Sequence, residues 1–204
     1  MKFLLTGFES FGGSKINPSE QVVRALAREK FSEVELVIAI LPVDGARAPE
    51  ELIRAIETHQ PDVVLSLGEA SSRSAISIER VAINLRDDRI PDNAGNQSRD
   101  EAIVRDAPAA YFCTLPVRAM LNAARACGVP AELSLSAGSF LCNQIAFTAL
   151  HFIATKKINA RAGFVHLPAL PQQAAEKNSA IPSMGLETML VGARAAIEAI
   201  RARG

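Results

Sequence analysis

Val63-Val64-Leu65-Ser66-Leu67-Gly68 is apolar apart from Ser66 and closes on a glycine, so it reads as a β-strand buried on both faces. Gln60-Pro61 precedes it and ends a helix expected over 49–58, which itself follows a strand expected over 34–41. Further back, 2–6 reads as a short buried strand and Gly7 to Gly13 as a glycine-rich loop. The next helix starts at a well-marked point, with Asn17 as N-cap, Pro18 in the first helical position and Glu20 in the third, and carries Val22, Val23, Leu26 and Ala27 at helical spacing. The order is therefore β-α-β-α-β. Such alternation with near-continuous apolar strands predicts an α/β fold, a largely parallel central sheet with helices on both faces. Ligands gather beyond the carboxyl ends of such strands, where Gly7, Gly68, Ser136 and His166 are expected.

Beyond Gly68, Ile76 and Ile78 alternate against Ser77 and Glu79, which predicts a strand or hairpin within 75–84 that sets a carboxylate among apolar neighbours. Residues 86–100 are polar, with Pro91, Gly95 and several aspartates. They read as a loop over a site and not as a linker, because no second core begins after them, so 1–204 is expected to be a single domain. A helix is expected over 116–126, a strand over 132–136, a helix over 142–155, a strand over 161–167 and a last helix from about 185 to 202.

Composition narrows the function. Of 204 residues 49% are hydrophobic, enough for one sizeable core. Lys plus Arg and Asp plus Glu both number 22, so no net charge draws the chain to nucleic acid or to an anionic membrane, and a small or neutral ligand fits better. The apolar run at Met1 to Gly7 is too short for a signal peptide, and no apolar segment is long enough to span a bilayer. Three cysteines, Cys113, Cys127 and Cys142, lack metal-type spacing and fit a reducing, cytoplasmic compartment; no metal site is expected.

Chemistry concentrates at Ser136-Ala137-Gly138-Ser139-Phe140-Leu141-Cys142-Asn143. Small residues turn the chain there and deliver Cys142 to the first turn of a helix, where free N–H groups and the helix dipole favour a thiolate. A small buried hydrophobe is the competing reading of Cys142. The available bases are His59, His151 and His166. His151 lies nine residues further along the same helix, about 13 Å at 1.5 Å per residue, and His59 sits on the amino-terminal side of its strand. His166, at a strand end, is the candidate base by elimination. Glu79 is the candidate to orient it, although the adjacent Arg80 is an ordinary alternative partner for that carboxylate.

Five stretches then acquire a common meaning: Thr6 to Gly13 with Asn17-Pro18-Ser19, Glu79 to Asn84, Arg89-Ile90-Pro91-Asp92-Asn93, Ala137 to Asn143, and Gly163 to Pro168. In this order they resemble the pyrrolidone-carboxylate peptidases, also called pyroglutamyl peptidases of type I. The resemblance implies a three-layer α/β/α fold, a Glu79, Cys142, His166 triad, a homotetramer, no cofactor, and removal of an N-terminal pyroglutamyl residue from peptides through a thioacyl-enzyme. It implies that Phe8, Phe11 and Phe140 bind the lactam and that Arg89 stands near the reacting carbonyl. For each phenylalanine alone, core packing is the competing reading, and for Arg89 a solvated ion pair. The chain departs from the family pattern at Asp44 and Gly45, where an aromatic is usual at the second position, and in Gly68-Glu69-Ala70-Ser71-Ser72-Arg73, where Gly-Gln-Ala-Gly-Gly-Arg is usual. These departures keep a second class open, a weakly active or inactive binding protein for modified peptide N-termini. Phosphate-binding and glutamine-amidotransferase readings rank lower: the glycine loop lacks a Gly-Lys-Ser/Thr ending, and Pro168 stands where the latter enzymes place a glutamate.

Overall fold

The computed structural model describes residues 1–177 and 180–203. The first half of the chain forms β1 (Lys2–Phe8), α1 (Pro18–Leu26), β2 (Glu35–Leu41), α2 (Arg47–His59), β3 (Val63–Glu69), β4 (Ile76–Glu79) and β5 (Val81–Ile83). The second half forms β6 (Ala110–Phe112), α3 (Val117–Ala126), β7 (Ala131–Ser134), α4 (Leu141–Lys156), β8 (Arg161–Leu167), α5 (Pro171–Ala175) and α6 (Leu186–Arg201). Six strands make one sheet in the order β2-β1-β3-β8-β4-β7. The pairs among β2, β1, β3 and β8 are parallel, as the apolar alternation predicts.

Two apolar cores sandwich this sheet. On one face Val22, Val23 and Leu26 of α1, Met120 and Leu121 of α3, and Met189, Ile197 and Ile200 of α6 pack on Phe3, Leu5 and Leu65. On the other, Leu52 and Ile56 of α2 and Ile145, Phe147 and Leu150 of α4 pack on Leu4, Val64 and Phe164. Successive strand residues thus serve opposite layers, which is why the strands are apolar throughout. Among the described residues no helix is long and apolar enough to cross a membrane.

The start of α1 is built as expected. Asn17 Oδ1 accepts from Ser19 N at 2.9 Å and Pro18 opens the helix, but Glu20 pairs with Arg24 at 2.8 Å instead of reaching back to the cap. Three expectations need correction. Strand β1 does not stop at Thr6: Gly7 and Phe8 still pair with Ile40 and Leu41, so the glycine loop begins two residues later. Residues 75–84 are not one hairpin but two strands in different sheets, β4 in the main sheet and β5 against β6. Strand β4 also runs antiparallel to β8, with β7 parallel to β4. Ser134, at the end of β7, therefore stands level with Glu79 and Phe164, inside the span of β8. Ser136 consequently does not leave the sheet at the edge where His166 sits, and residues 135–140 carry the chain back to α4. The apolar pattern of a short strand reads alike in both directions, so the sequence holds no sign of this reversal.

Candidate active site

Cys142 occupies the first turn of α4, as its sequence context predicts. Its surroundings are fixed from three sides. A Cβ on Gly68 would lie 2.7 Å from Cys142 Sγ and 2.7 Å from Phe164 Cζ, so only a glycine at this point of β3 leaves room for the thiol. Gly68→Ala is therefore expected to displace Sγ and lower activity by at least about 100-fold, a loss in the range a misplaced reacting group causes. A folded Gly68→Ala protein with near-normal kcat/KM would show that the thiol tolerates the shift. The two residues after Cys142 fasten its neighbours. Asn143, fully buried, accepts from Ile83 N at 2.9 Å and donates to Ile83 O at 2.9 Å and Leu85 O at 3.0 Å. Gln144 donates to Gly45 O at 2.8 Å. Sequence reasoning missed both. Their signal was two amide side chains in the first turn of an otherwise apolar helix.

His166, one residue before the end of β8, pairs with Ser77, while Glu79 pairs with Phe164. His166 and Glu79 are thus diagonal neighbours on one face of an antiparallel pair. Their side chains meet, with His166 Nδ1 and Glu79 Oε1 2.8 Å apart and both groups almost fully buried. A carboxylate only accepts, so Nδ1 carries the ring proton and Nε2 is left with its lone pair. Arg80, the alternative partner, is not needed.

Arg73 is the partner that sequence reasoning missed. Its Nη1 donates to the same Glu79 Oε1 at 2.6 Å and its Nη2 to Ser136 O at 2.8 Å, while Glu79 Oε2 is buried without a partner among the described residues. Its only trace in the sequence is its place at the end of the Gly68 to Arg73 run, six residues before Glu79. Burial, aided by Arg73, lowers the pKa of His166 from 6.5 although Glu79 pulls it upward. The imidazole is therefore neutral near neutral pH. Burial, with Glu79 and Glu69 adding to it, pushes the Cys142 thiol up to about 12 against the lowering effect of Arg73. The expectation of an easily formed thiolate is corrected accordingly: one helix start does not offset desolvation and two carboxylates. Cys142 rests as a thiol in a cleft that the neutral imidazole also lines.

Cys142, His166, Arg73, Arg89, Phe11 and Phe140 line one open cleft. A smaller apolar recess continues from it under Cys142, bordered by Phe8, Val43, Leu141 and the rings of Phe11 and Phe140, whose centroids are 6.4 Å apart. Phe8 is 3% exposed and belongs both to the core and to the wall of this recess. Arg89 is exposed and, among the described residues, makes no ion pair. Asp87, Asp88 and Asp92 of its loop are engaged elsewhere, Asp88 by Arg86 and Ser98 N, Asp92 by the N–H groups of Gly45, Ala94 and Asn96, and Asp87 by Arg99. Gly45 has a simple explanation, because a Cβ there would lie 2.6 Å from Arg86 Cζ: the Arg86 guanidinium fills the space that a side chain would need.

The remaining cysteines lie away from the cleft. Cys113 is half-buried against Gly163, its thiol pushed up to about 11 by desolvation, and Cys127 is an exposed residue at the end of α3.

A buried carboxylate, an imidazole with a free nitrogen and a thiol at one cleft are the parts of a cysteine-type hydrolase. The comparisons with known proteins agree. The model of the pyroglutamyl peptidase family matches residues 1–203. The chain is 50% identical to the pyrrolidone-carboxylate peptidase of Vibrio vulnificus over 191 residues, 94% of this chain and 88% of that protein. It is 43% identical to the Pyrococcus furiosus pyrrolidone-carboxylate peptidase over 201 residues, 97% of either chain. Among solved structures, that of a mutant pyrrolidone carboxyl peptidase from P. furiosus superposes with a TM-score of 0.96 at 42% identity, over 100% of this chain and 99% of that one. The pyrrolidone carboxyl peptidase of Thermococcus litoralis gives a TM-score of 0.94 at 41% identity, over 98% and 93% of the two chains. The chain belongs to the pyroglutamyl peptidase family.

Proposed function

We propose that this chain is a cysteine exopeptidase that removes an N-terminal pyroglutamyl residue from peptides, with Cys142 as nucleophile, His166 as acid and base, and Glu79 as the group that orients His166. The observation that carries the reading is the 2.8 Å contact of His166 Nδ1 with Glu79, which leaves Nε2 free on a residue that lines the same cleft as Cys142. Among the described residues no hydrogen bond joins Sγ to the imidazole; contacts of this kind tighten when substrate binds.

The lactam ring is flat and neutral. It enters the recess of Phe8, Phe11 and Phe140, which removes its apolar faces from water. His166 Nε2 takes the thiol proton as Sγ attacks the pyroglutamyl carbonyl carbon, and Arg89 faces the charge that gathers on the carbonyl oxygen. The proton passes from Nε2 to the leaving amine as the C–N bond breaks. Water, deprotonated by His166, then cleaves the thioester and frees pyroglutamate. Each step uses only groups of this chain and water.

Hydrolysis of a pyroglutamyl arylamide by the purified protein is the test. Absence of turnover would leave the weakly active binding protein as the better reading, which the family membership does not favour. The pH profile gives a second check. Because the His166 pKa lies below 6.5, its base form persists at pH 6.5, and the acidic limb of kcat/KM is expected below that value. Arg73→Gln keeps a donor for Glu79 and removes a charge that lowers the His166 pKa, so the limb should move upward. A limb that stays fixed or moves downward contradicts this assignment.

We further propose a cytoplasmic homotetramer. The three free cysteines support a reducing compartment and the family resemblance supports the assembly. A monomeric mass by light scattering at micromolar concentration would refute the tetramer without touching the chemistry.

A further inference from the structure

We infer that Glu69 extends the substrate range of this site from the neutral pyroglutamyl ring to the cationic ring of an N-terminal proline, giving the same thiol a second, prolyl-releasing activity. The inference rests on the proposed function, since it takes the apolar recess as the seat of the ring.

Glu69, Asn17 and Cys142 are the polar side chains bordering that recess. Asn17 is committed, its Oδ1 accepting from Ser19 N and Ser19 Oγ and its Nδ2 donating to Glu9 O. Glu69 is not. Its Oε2 accepts from Gln173 Nε2 at 3.0 Å, while Oε1 takes no hydrogen bond among the described residues. Gln173 is itself almost fully buried and held at its other end by Leu170 N, so it fixes the carboxylate in place. Burial raises the Glu69 pKa, and Gln173 and Lys177 oppose that rise by favouring the ionised form.

The ring nitrogen of a pyroglutamyl or prolyl group lies two bonds from the carbonyl carbon that Sγ attacks. It must therefore sit in the part of the recess nearest Cys142. Glu69 borders that recess together with Cys142, and its Oε1 is a side-chain acceptor there that takes no hydrogen bond among the described residues. A neutral amide would serve a lactam N–H equally well. Only a carboxylate also supplies the charge that a desolvated secondary ammonium requires, through a hydrogen bond roughly twice as strong as a neutral one. The reaction itself is unchanged: Sγ bonds to the prolyl carbonyl, the amine leaves with the proton from His166, and water releases proline.

The test compares kcat/KM for prolyl and pyroglutamyl coumarylamides in the wild-type protein, Glu69→Gln and Cys142→Ser. The prolyl amide should be cleaved more slowly than the pyroglutamyl amide, and not at all by Cys142→Ser. The prolyl-to-pyroglutamyl ratio should fall at least about tenfold in Glu69→Gln. Inhibition of pyroglutamyl hydrolysis by pyrrolidinium, relative to 2-pyrrolidone, should weaken in parallel, and this reads binding without prolyl turnover. The inference is overturned if the pyroglutamyl amide is cleaved while prolyl hydrolysis never exceeds the Cys142→Ser background, or if neither ratio changes in Glu69→Gln. Failure of the wild-type protein to cleave even the pyroglutamyl amide would remove the underlying function as well.

Discussion

Cys142→Ser is expected to lower pyroglutamyl arylamide hydrolysis by more than about 10⁴-fold, the scale on which loss of a nucleophile acts in enzymes of this mechanism. The serine hydroxyl is far less acidic than even the raised thiol, and the same neutral imidazole would have to deprotonate it. Cys113→Ser and Cys127→Ser should retain most of the activity. Cys113 packs on Gly163 with its Sγ donating to Ala162 O at 3.4 Å, and Cys127 faces solvent, so neither shares the cleft with His166. Rates for the three variants, with circular dichroism to show that each is folded, decide the matter. Substantial activity in Cys142→Ser would remove the nucleophile from the account.

The second large effect is expected at Glu79. Glu79→Gln keeps the size of the side chain, but an amide can donate to Nδ1 and so place the ring proton on Nε2, the nitrogen that must accept the thiol proton. Changes of this kind in acyl-transfer enzymes cost roughly 10³- to 10⁴-fold in kcat. The variant also leaves the Arg73 guanidinium without a carboxylate, so its melting temperature should fall too. The readout specific to tautomer control is kcat, with KM for the pyroglutamyl arylamide largely unchanged because the proposed seat of the ring is the phenylalanine recess, which Glu79 does not border. A loss confined to KM would assign Glu79 to binding instead.

Much of this arrangement is legible in the sequence, for definite reasons. Strands β1, β2, β3 and β8 are built from apolar runs that betray them, and Asn17-Pro18 marks a helix start in any context. Cys142 and His166 could be paired because each stands at the end of a recognisable element. Where the sequence fails, a tertiary relation decides. The antiparallel insertion of β4 leaves no mark in a four-residue alternating pattern, yet it is what brings Glu79 diagonally against His166. The pairing of β5 with β6 joins segments separated by residues 84–109, and Asn143 satisfies the backbone of Ile83 and Leu85, a partnership 60 residues apart in the chain for Ile83. Arg73 bears on the site through Glu79 and Ser136 O, neither of which its local sequence announces. The raised thiol pKa comes from burial and from carboxylates on other strands, while the sequence displays only the favourable helix start.

The central claim, a thioacyl-enzyme on Cys142, is tested most directly by acid-quenching the protein during turnover of a pyroglutamyl ester, followed by intact and peptide mass spectrometry. The account predicts one pyroglutamyl group per chain, labile to hydroxylamine and located on the peptide that contains Cys142, and no such adduct in Cys142→Ser. An adduct on Cys113 or Cys127 in an enzyme whose Cys142 remains free, with steady turnover throughout, would contradict it.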